Sequence, residues 1–370
     1  MKKYIFILMP VFLIMAIISV YILTKNSSNY VVFTGKVIHN FDCTKEKIIS
    51  KKIVILSETS HGSENIRSLE TCIIKKLVLE ENFDSIILEY DYLETSWISD
   101  YVNGDKLIKR EDVKDMLKNT LYFSASFFDL IDWVKIFNTK SNRKIKFFGI
   151  DNFNFNFIYY RIKNSKNLPK NLINCIINNY DQYSYIYTEC ISQVNFQEAN
   201  IFHKDTYFLV LLKRALENLS NFQQNGNFDE ENRDLNMFQT FSDIYKNYSL
   251  RKFIFSIHAG HSLALPERFG SYLKNSKFNF SNYIISLCSG EASAYRNVDS
   301  SIFRMQISPP EKDLIEFSIC NNEKPNSAKQ NKLFRFTNRY DSTNTMVIPD
   351  YSFDGFIVVK ESKPLEPLEK

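Results

Sequence analysis

The chain has 370 residues, 44 % of them hydrophobic and 15 % aromatic, and a formal net charge of +4. Two of those charges are Lys2 and Lys3, so the remainder is near neutral and carries no basic stripe interleaved with aromatics, and no nucleic-acid partner is indicated. Beyond the first 28 residues there is enough chain to bury a large core, as one elaborate domain or two.

Tyr4 to Thr24 is 21 residues without a charge, which at about 1.5 Å per helical residue spans a hydrocarbon core of ~30 Å. A cleavable signal peptide has a shorter apolar core and a small-x-small site, whereas this run ends S-V-Y-I-L-T-K. Residues 1–28 therefore read as an uncleaved signal anchor, and 29–52 as a linker and lead-in. Lys2 and Lys3 against Lys25 orient the anchor with its N-terminus inside and the body outside the cytoplasm. A cleaved signal peptide is the alternative and gives the same compartment. The six cysteines lack C-x-x-C spacing, which argues against a zinc ribbon or a thioredoxin motif. Cys72 and Cys288 read as buried free thiols on apolar elements. Disulfides among Cys43, Cys175, Cys190 and Cys320 are open.

The run Ile53–Leu56 is short, apolar and β-branched, as a buried strand requires. It breaks into Ser57, Glu58, Thr59, Ser60, His61 and Gly62, and a helix is expected from about Ser63 to Glu81. Its apolar positions Ile66, Leu69, Ile73, Ile74, Leu77 and Val78 form one stripe. Ser85–Tyr90 is a second buried strand that also ends in a carboxylate, Glu89, and strand–helix–strand over so few residues predicts a parallel βαβ unit. Helices follow around Leu93–Val102, stopped by Asn103-Gly104, near Glu111–Asn119, and over Ala125–Asn138. Lys144–Ile150 is a third strand ending in Asp151. Residues 155–248 read as a helical subdomain or lid within a domain spanning 53–365. Lys252–Ile257 runs into His258-Ala259-Gly260-His261, and Tyr283–Cys288 and Gly355–Val359 are further strands. The fold class is α/β: a central, mostly parallel sheet flanked by helices, with a large helical insertion.

Strand ends thus carry Glu58 with His61, Glu89, Asp151, and His258 with His261, and in open α/β sheets the carboxyl ends of strands are where ligands bind. Five histidines occur in the chain, and three of them stand at this edge. Two chemistries fit. A neutral imidazole, with an ordinary pKa near 6.5, takes a proton from water while a carboxylate fixes its tautomer. An arginine such as Arg67 or Arg233 then stabilises the oxyanion. Alternatively His61, His258, His261 and a carboxylate hold Zn²⁺ or Mn²⁺ as a metal-dependent hydrolase or peptidase. A serine nucleophile is not indicated, because no G-x-S-x-G elbow occurs.

The strings S-E-T-S-H-G, L-E-Y-D, F-F-G-I-D-N at Phe147–Asn152, R-D-L-N-M at Arg233–Met237 and H-A-G-H at His258–His261 resemble the erythromycin esterase family. So do S-Y-L-K at Ser271–Lys274 and F-D-G-F-I-V-V-K at the end, and the order and spacing are similar from about Ile53 to Val359. The resemblance implies metal-independent hydrolysis, without a cofactor, of an ester or macrocyclic lactone by an activated water. It matches His61 to the general base, Glu58 and Glu89 to its carboxylates, and His258, His261 and Arg233 to the groups that bind the carbonyl oxygen. Arg67 and Asp151 are then substrate-side residues. Departures are Ser57 where the family has glycine, which narrows the substrate's approach, the spacing of Arg67, and Thr240 in place of an asparagine. Known macrolide-inactivating members act inside the cell, whereas this chain is read as anchored with its body outside. A surface-binding homologue without turnover is the reading that Ser57 favours.

Overall fold

The structure is a computed structural model. It describes residues 36–39, 41–43, 45–48, 50–118, 120–151, 170–179, 189–190, 230–263, 265–296, 301–307, 320–321, 333–337, 343–346 and 353–365. The apolar run Tyr4–Thr24 and most of the expected helical subdomain lie outside these residues. Among the described residues no helix is long and apolar enough to cross a membrane.

Apolar, β-branched runs form the centre of the molecule. The strands are β1 (Lys36–His39), β2 (Ile53–Glu58), β3 (Ser85–Asp91), β4 (Lys146–Asp151), β5 (Phe253–His258) and β6 (Phe280–Leu287). Three further pieces are an antiparallel hairpin of β7 (Gly290–Arg296) and β8 (Ser301–Ile307), a second of β9 (Leu333–Thr337) and β10 (Thr343–Met346), and β11 (Gly355–Val359). Seven strands make one sheet in the order β1-β11-β6-β2-β5-β3-β4. Every pairing in it is parallel, as expected for an α/β fold. β2 and β3 are parallel, but β5 inserts between them. The sheet also begins earlier than expected, because β1 lies within the lead-in segment.

The described helices are α1 (Glu64–Glu81), α2 (Tyr92–Val102), α3 (Arg110–Leu117), α4 (Ala125–Lys140), α5 (Lys170–Asn178), α6 (Glu230–Asn247), α7 (Ala259–Ser262) and α8 (Phe269–Asn275). Alternation along the strands sends Val54, Leu56, Ile86, Leu88 and Ile254 to a core shared with α1 and α4. Ile53, Ile55, Ile87, Phe253 and Phe255 face the other way, onto Met237, Phe241 and Ile244 of α6 and onto α8. Phe241 is the wedge here, with ring centroids 4.8 Å from Phe255 and 5.5 Å from Phe253. It fixes α6, whose first turns carry Arg233 and Asp234.

Two cysteine expectations are corrected. All six cysteines pair, as Cys43–Cys72, Cys175–Cys190 and Cys288–Cys320. Cys72 is only half-buried on α1 and meets the lead-in segment, and Cys288 lies just past the end of β6 rather than within it. Cys288 is buried, as expected, but Cys320 comes within bonding distance of it, so it is not a free thiol.

β7 was not expected, and it explains a glycine. Ser293 donates its backbone N–H to the carbonyl of Gly62 at 2.8 Å. A Cβ on Gly62 would lie 1.5 Å from the Ser293 carbonyl oxygen, so only glycine admits this hairpin against the turn after β2.

Candidate active site

Parallel pairing sets Glu58, the last residue of β2, directly beside His258, the last of β5. The turn after β2 then folds back, so that His61 Nδ1 lies 2.6 Å from Glu58 Oε1. With Nδ1–H donating a hydrogen bond to that carboxylate, Nε2 is the basic nitrogen. It sits 3.7 Å from Glu89 Oε1. The His61 side chain is 28 % exposed, against 1 % for Glu58, 4 % for Glu89 and 10 % for His261. His61 is thus a more open imidazole than His261, with its basic nitrogen on the Glu89 side.

His258 starts α7 and caps it, its Nδ1 accepting from the Gly260 backbone N–H at 3.2 Å. Its ring centroid lies 4.9 Å from that of His61. Burial, followed by the neighbouring His61, lowers its pKa to about 3. A neutral ring that accepts at Nδ1 carries its proton on Nε2, so His258 is a neutral N–H donor.

His261 has the opposite environment. Its Nδ1 is 2.8 Å from Asp234 Oδ1 and its Nε2 is 3.2 Å from Glu89 Oε1. Burial opposes the charge, yet Glu89 and the Asp234 hydrogen bond outweigh it and raise the pKa to about 9. It is an imidazolium at neutral pH, donating from both nitrogens. Asp234 also accepts from Arg268 at 3.1 Å and from the Phe269 backbone N–H at 2.8 Å.

Glu89 ties the site together. Its Oε2 accepts from the His258 backbone N–H at 2.7 Å, and its Oε1 meets Arg233 at 2.9 Å. Burial would raise its pKa, but His261, His61 and Arg233 hold it well below the usual carboxylate range. Arg233 engages Asp151 with two nitrogens, at 2.8 and 2.5 Å, the paired geometry that arginine provides and lysine does not. Its third nitrogen lies 3.2 Å from His261 Nε2. Among the described residues no group of three or more His, Cys, Asp or Glu is placed to hold a metal ion. Arg233 lies where Glu89, Asp151 and His261 converge.

Glu58, His61, Glu89, Asp151, Arg233, His258 and His261 are therefore one cluster at the sheet's carboxyl edge. Arg67 is not in its opening. It is 2 % exposed and lies behind Glu58, donating to Glu58 Oε1 at 3.1 Å, to Glu70 Oε2 at 2.7 Å and to Ser256 at 3.0 Å. Ser256 in turn donates to Glu70 at 3.1 Å. Burial and then the charge of Glu58 raise the Glu70 pKa to about 8. Glu70 and Asp234 were missed by the sequence reading. Their signals were a serine interrupting the apolar run of β5, and an acid next to Arg233. Ser57, expected to crowd the substrate, is fully buried and donates to Asn282 at 2.7 Å. It therefore points to the opposite face of β2 from Glu58.

An all-parallel α/β sheet with a histidine, carboxylate and arginine cluster at its carboxyl edge defines the class. Comparison with solved structures makes it more specific. A protein from Bacillus cereus superposes with a TM-score of 0.65 at 17 % identity, covering 86 % of this chain and 90 % of that one. A succinoglycan biosynthesis protein gives 0.62 at 17 %, covering 86 % and 89 %. An erythromycin esterase variant in its open conformation gives 0.60 at 15 %, covering 86 % and 93 %. No family model matches the sequence, and no curated protein does. The chain has an erythromycin esterase-like fold.

Proposed function

We propose that this chain hydrolyses a carboxylic ester or macrocyclic lactone with a water activated by His61. The observation that carries the reading is the 2.6 Å contact between His61 and Glu58, which leaves Nε2 of this partly exposed ring as the base. The likeness of fold to an erythromycin esterase supports it.

In this scheme a water gives a proton to His61 Nε2 as its oxygen bonds to the carbonyl carbon. Glu58 stabilises the resulting imidazolium. Negative charge grows on the carbonyl oxygen, where we assign the Nε2–H of His258 and the guanidinium of Arg233 as the donors. The C–O bond to the alcohol then breaks, and His61 returns its proton to the departing oxygen. The product is an acid and an alcohol, or a ring-opened hydroxy acid from a lactone. His261 and Asp151 hold Glu89 and Arg233 in place, and no cofactor enters the scheme.

We place the body outside the cytoplasm, tethered through Tyr4–Thr24. Three disulfides suit an oxidising compartment. The experiment is to incubate the full chain in detergent with a panel of lactones, simple esters, peptides and phosphoesters, with and without exhaustive chelation. Ester or lactone cleavage that survives chelation is expected. Cleavage lost on chelation and restored by Zn²⁺ or Mn²⁺, or turnover of peptides or phosphoesters alone, would overturn the proposal.

A further inference from the structure

Because every strand of the sheet is parallel, all seven start at one edge, opposite the His61 cluster. That amino edge is basic. Lys51-Lys52 precede β2, Arg143-Lys144 precede β4 and Arg251-Lys252 precede β5. Backbone carbonyls hold these groups at the rim without cancelling their charge. Lys51 donates to Phe280 at 2.8 Å, Arg143 to Val78 at 2.6 Å, Arg251 to Asp84 at 2.9 Å and Lys252 to Glu81 at 2.7 Å. The carboxylates near them are Asp84, 3.6 Å from Arg251, Asp354, 3.6 Å from Lys51, and the exposed Glu80, Glu81 and Asp105 at the ends of α1 and α2.

The same edge carries exposed apolar groups. Among the described residues the exposed large hydrophobics are Leu79, Leu107, Ile136 and Leu250. Leu79 is in the last turn of α1, Leu107 follows the end of α2, and Ile136 is near the end of α4. Leu250 lies in the turn between α6 and β5 and is 97 % exposed. Each of these helices runs from the carboxyl edge back toward the amino edge, so all four side chains lie in that half of the fold, Leu79, Leu107 and Ile136 by the helices of one sheet face and Leu250 by the helix of the other. Isolated exposed leucines need no explanation, but their segregation to one end beside paired cations does.

The chain also attaches there. β1 begins at Lys36 and is parallel to β11, so what precedes it joins at the amino edge. Eleven residues, 25–35, separate Thr24 from Lys36, and covalent geometry limits their reach to about 40 Å.

We propose that the amino edge docks onto a bilayer rich in anionic headgroups, with Leu250 entering the interface and the His61 site facing away from the membrane. Lysines and arginines near such a surface are attracted by its negative potential, and an adjacent apolar side chain adds burial. The proposal rests on reading Tyr4–Thr24 as a membrane anchor, but not on the reaction at His61.

The test reconstitutes the full chain carrying L250W into vesicles of phosphatidylcholine alone, or of phosphatidylcholine mixed with phosphatidylglycerol. The introduced indole is read by its emission shift and by quenching from brominated acyl chains, against the parent chain as blank. Several-fold stronger quenching and a blue shift are expected in the anionic vesicles. Adding K51Q, K52Q, R251Q and K252Q, which keep hydrogen-bond donors but remove charge, should return both readings to the zwitterionic level. The melting temperature of that variant checks that it folds, and high salt acting on the L250W chain provides the same arm without substitution. Equal quenching in both lipids, or quenching insensitive to charge and salt, would overturn the docking. Failure of the chain to co-sediment with either vesicle would remove the anchor and the proposal together, while leaving the assignment of His61 untouched.

Discussion

Three histidines stand within a few ångströms of one another at the carboxyl edge, and their surroundings divide the work among them. His258 lies beside another imidazole with its Nε2 shielded from solvent, and stays neutral. His261 lies between Glu89 and Asp234 and stays charged. His61, with one nitrogen on Glu58 and the ring partly exposed, is left as the base. Beneath them Glu70 shares Arg67 with Glu58 in a pocket closed to solvent. One buried cation balances one carboxylate, so the second carboxyl keeps its proton. An unfolded glutamate titrates near 4.3, whereas folded Glu70 titrates at about 8. Between those values the native state binds more protons than the unfolded state, so this group lowers stability progressively as pH rises through the window. Below about pH 4 both states are protonated and no penalty exists. Glu70→Gln copies the protonated form, so its stability relative to the parent should climb from pH 5 to pH 8.5 and then level off. Denaturation midpoints at a series of pH values check this, and a difference independent of pH would show that Glu70 holds no proton.

At the scale of elements, β2 and the turn after it organise the site, and much of this was legible in the chain. A fully apolar run that breaks into Ser-Glu-Thr-Ser-His-Gly reads as a buried strand emptying either into an ordinary βα turn or into a site, and the other strand ends decide for the site. The same logic located β3, β4 and β5 and set Glu58, Glu89, Asp151 and His258 at one edge. What the sequence could not reveal was lateral order. No local pattern says that β5 inserts between β2 and β3, yet that insertion is what puts His258 beside Glu58. Nor could it reveal β7, whose run G-E-A-S-A-Y-R lacks the apolar alternation of a core strand and which pairs with β8 outside the main sheet. Arg67 was misjudged for a related reason. Its position on α1 was evident, but whether it faced the cleft or the sheet depended on Ser256 and Glu70 receiving it. The packing of β7 on the turn gives a direct test. Gly62→Ala would set a methyl group 1.5 Å from the Ser293 carbonyl oxygen, and relieving that overlap should cost about 1–3 kcal/mol or more. Calorimetry should show a clearly lower melting temperature, whereas a parental one would mean that the hairpin does not close on this turn.

At the scale of the molecule, the parallel sheet gives the protein two unlike ends. The carboxyl edge gathers acids, imidazoles and Arg233, while the amino edge gathers lysines, arginines and exposed leucines and receives the chain from its N-terminal segment. The disulfides lie at three separate places, joining the lead-in to α1, α5 to residue 190, and the end of β6 to residue 320. Their partners are far enough apart in the chain that residue types alone did not pair them. All of this leaves the reaction itself to rest on one side chain. The most direct measurement is kcat/KM of His61→Ala against the parent chain, on whichever lactone or ester of the panel is turned over. His61 is partly exposed and fills no core, so far-UV circular dichroism and melting temperature should hardly move. Loss of the base should lower kcat/KM by about 10²–10⁴-fold or more. A folded His61→Ala chain that keeps near-parental turnover would contradict the account.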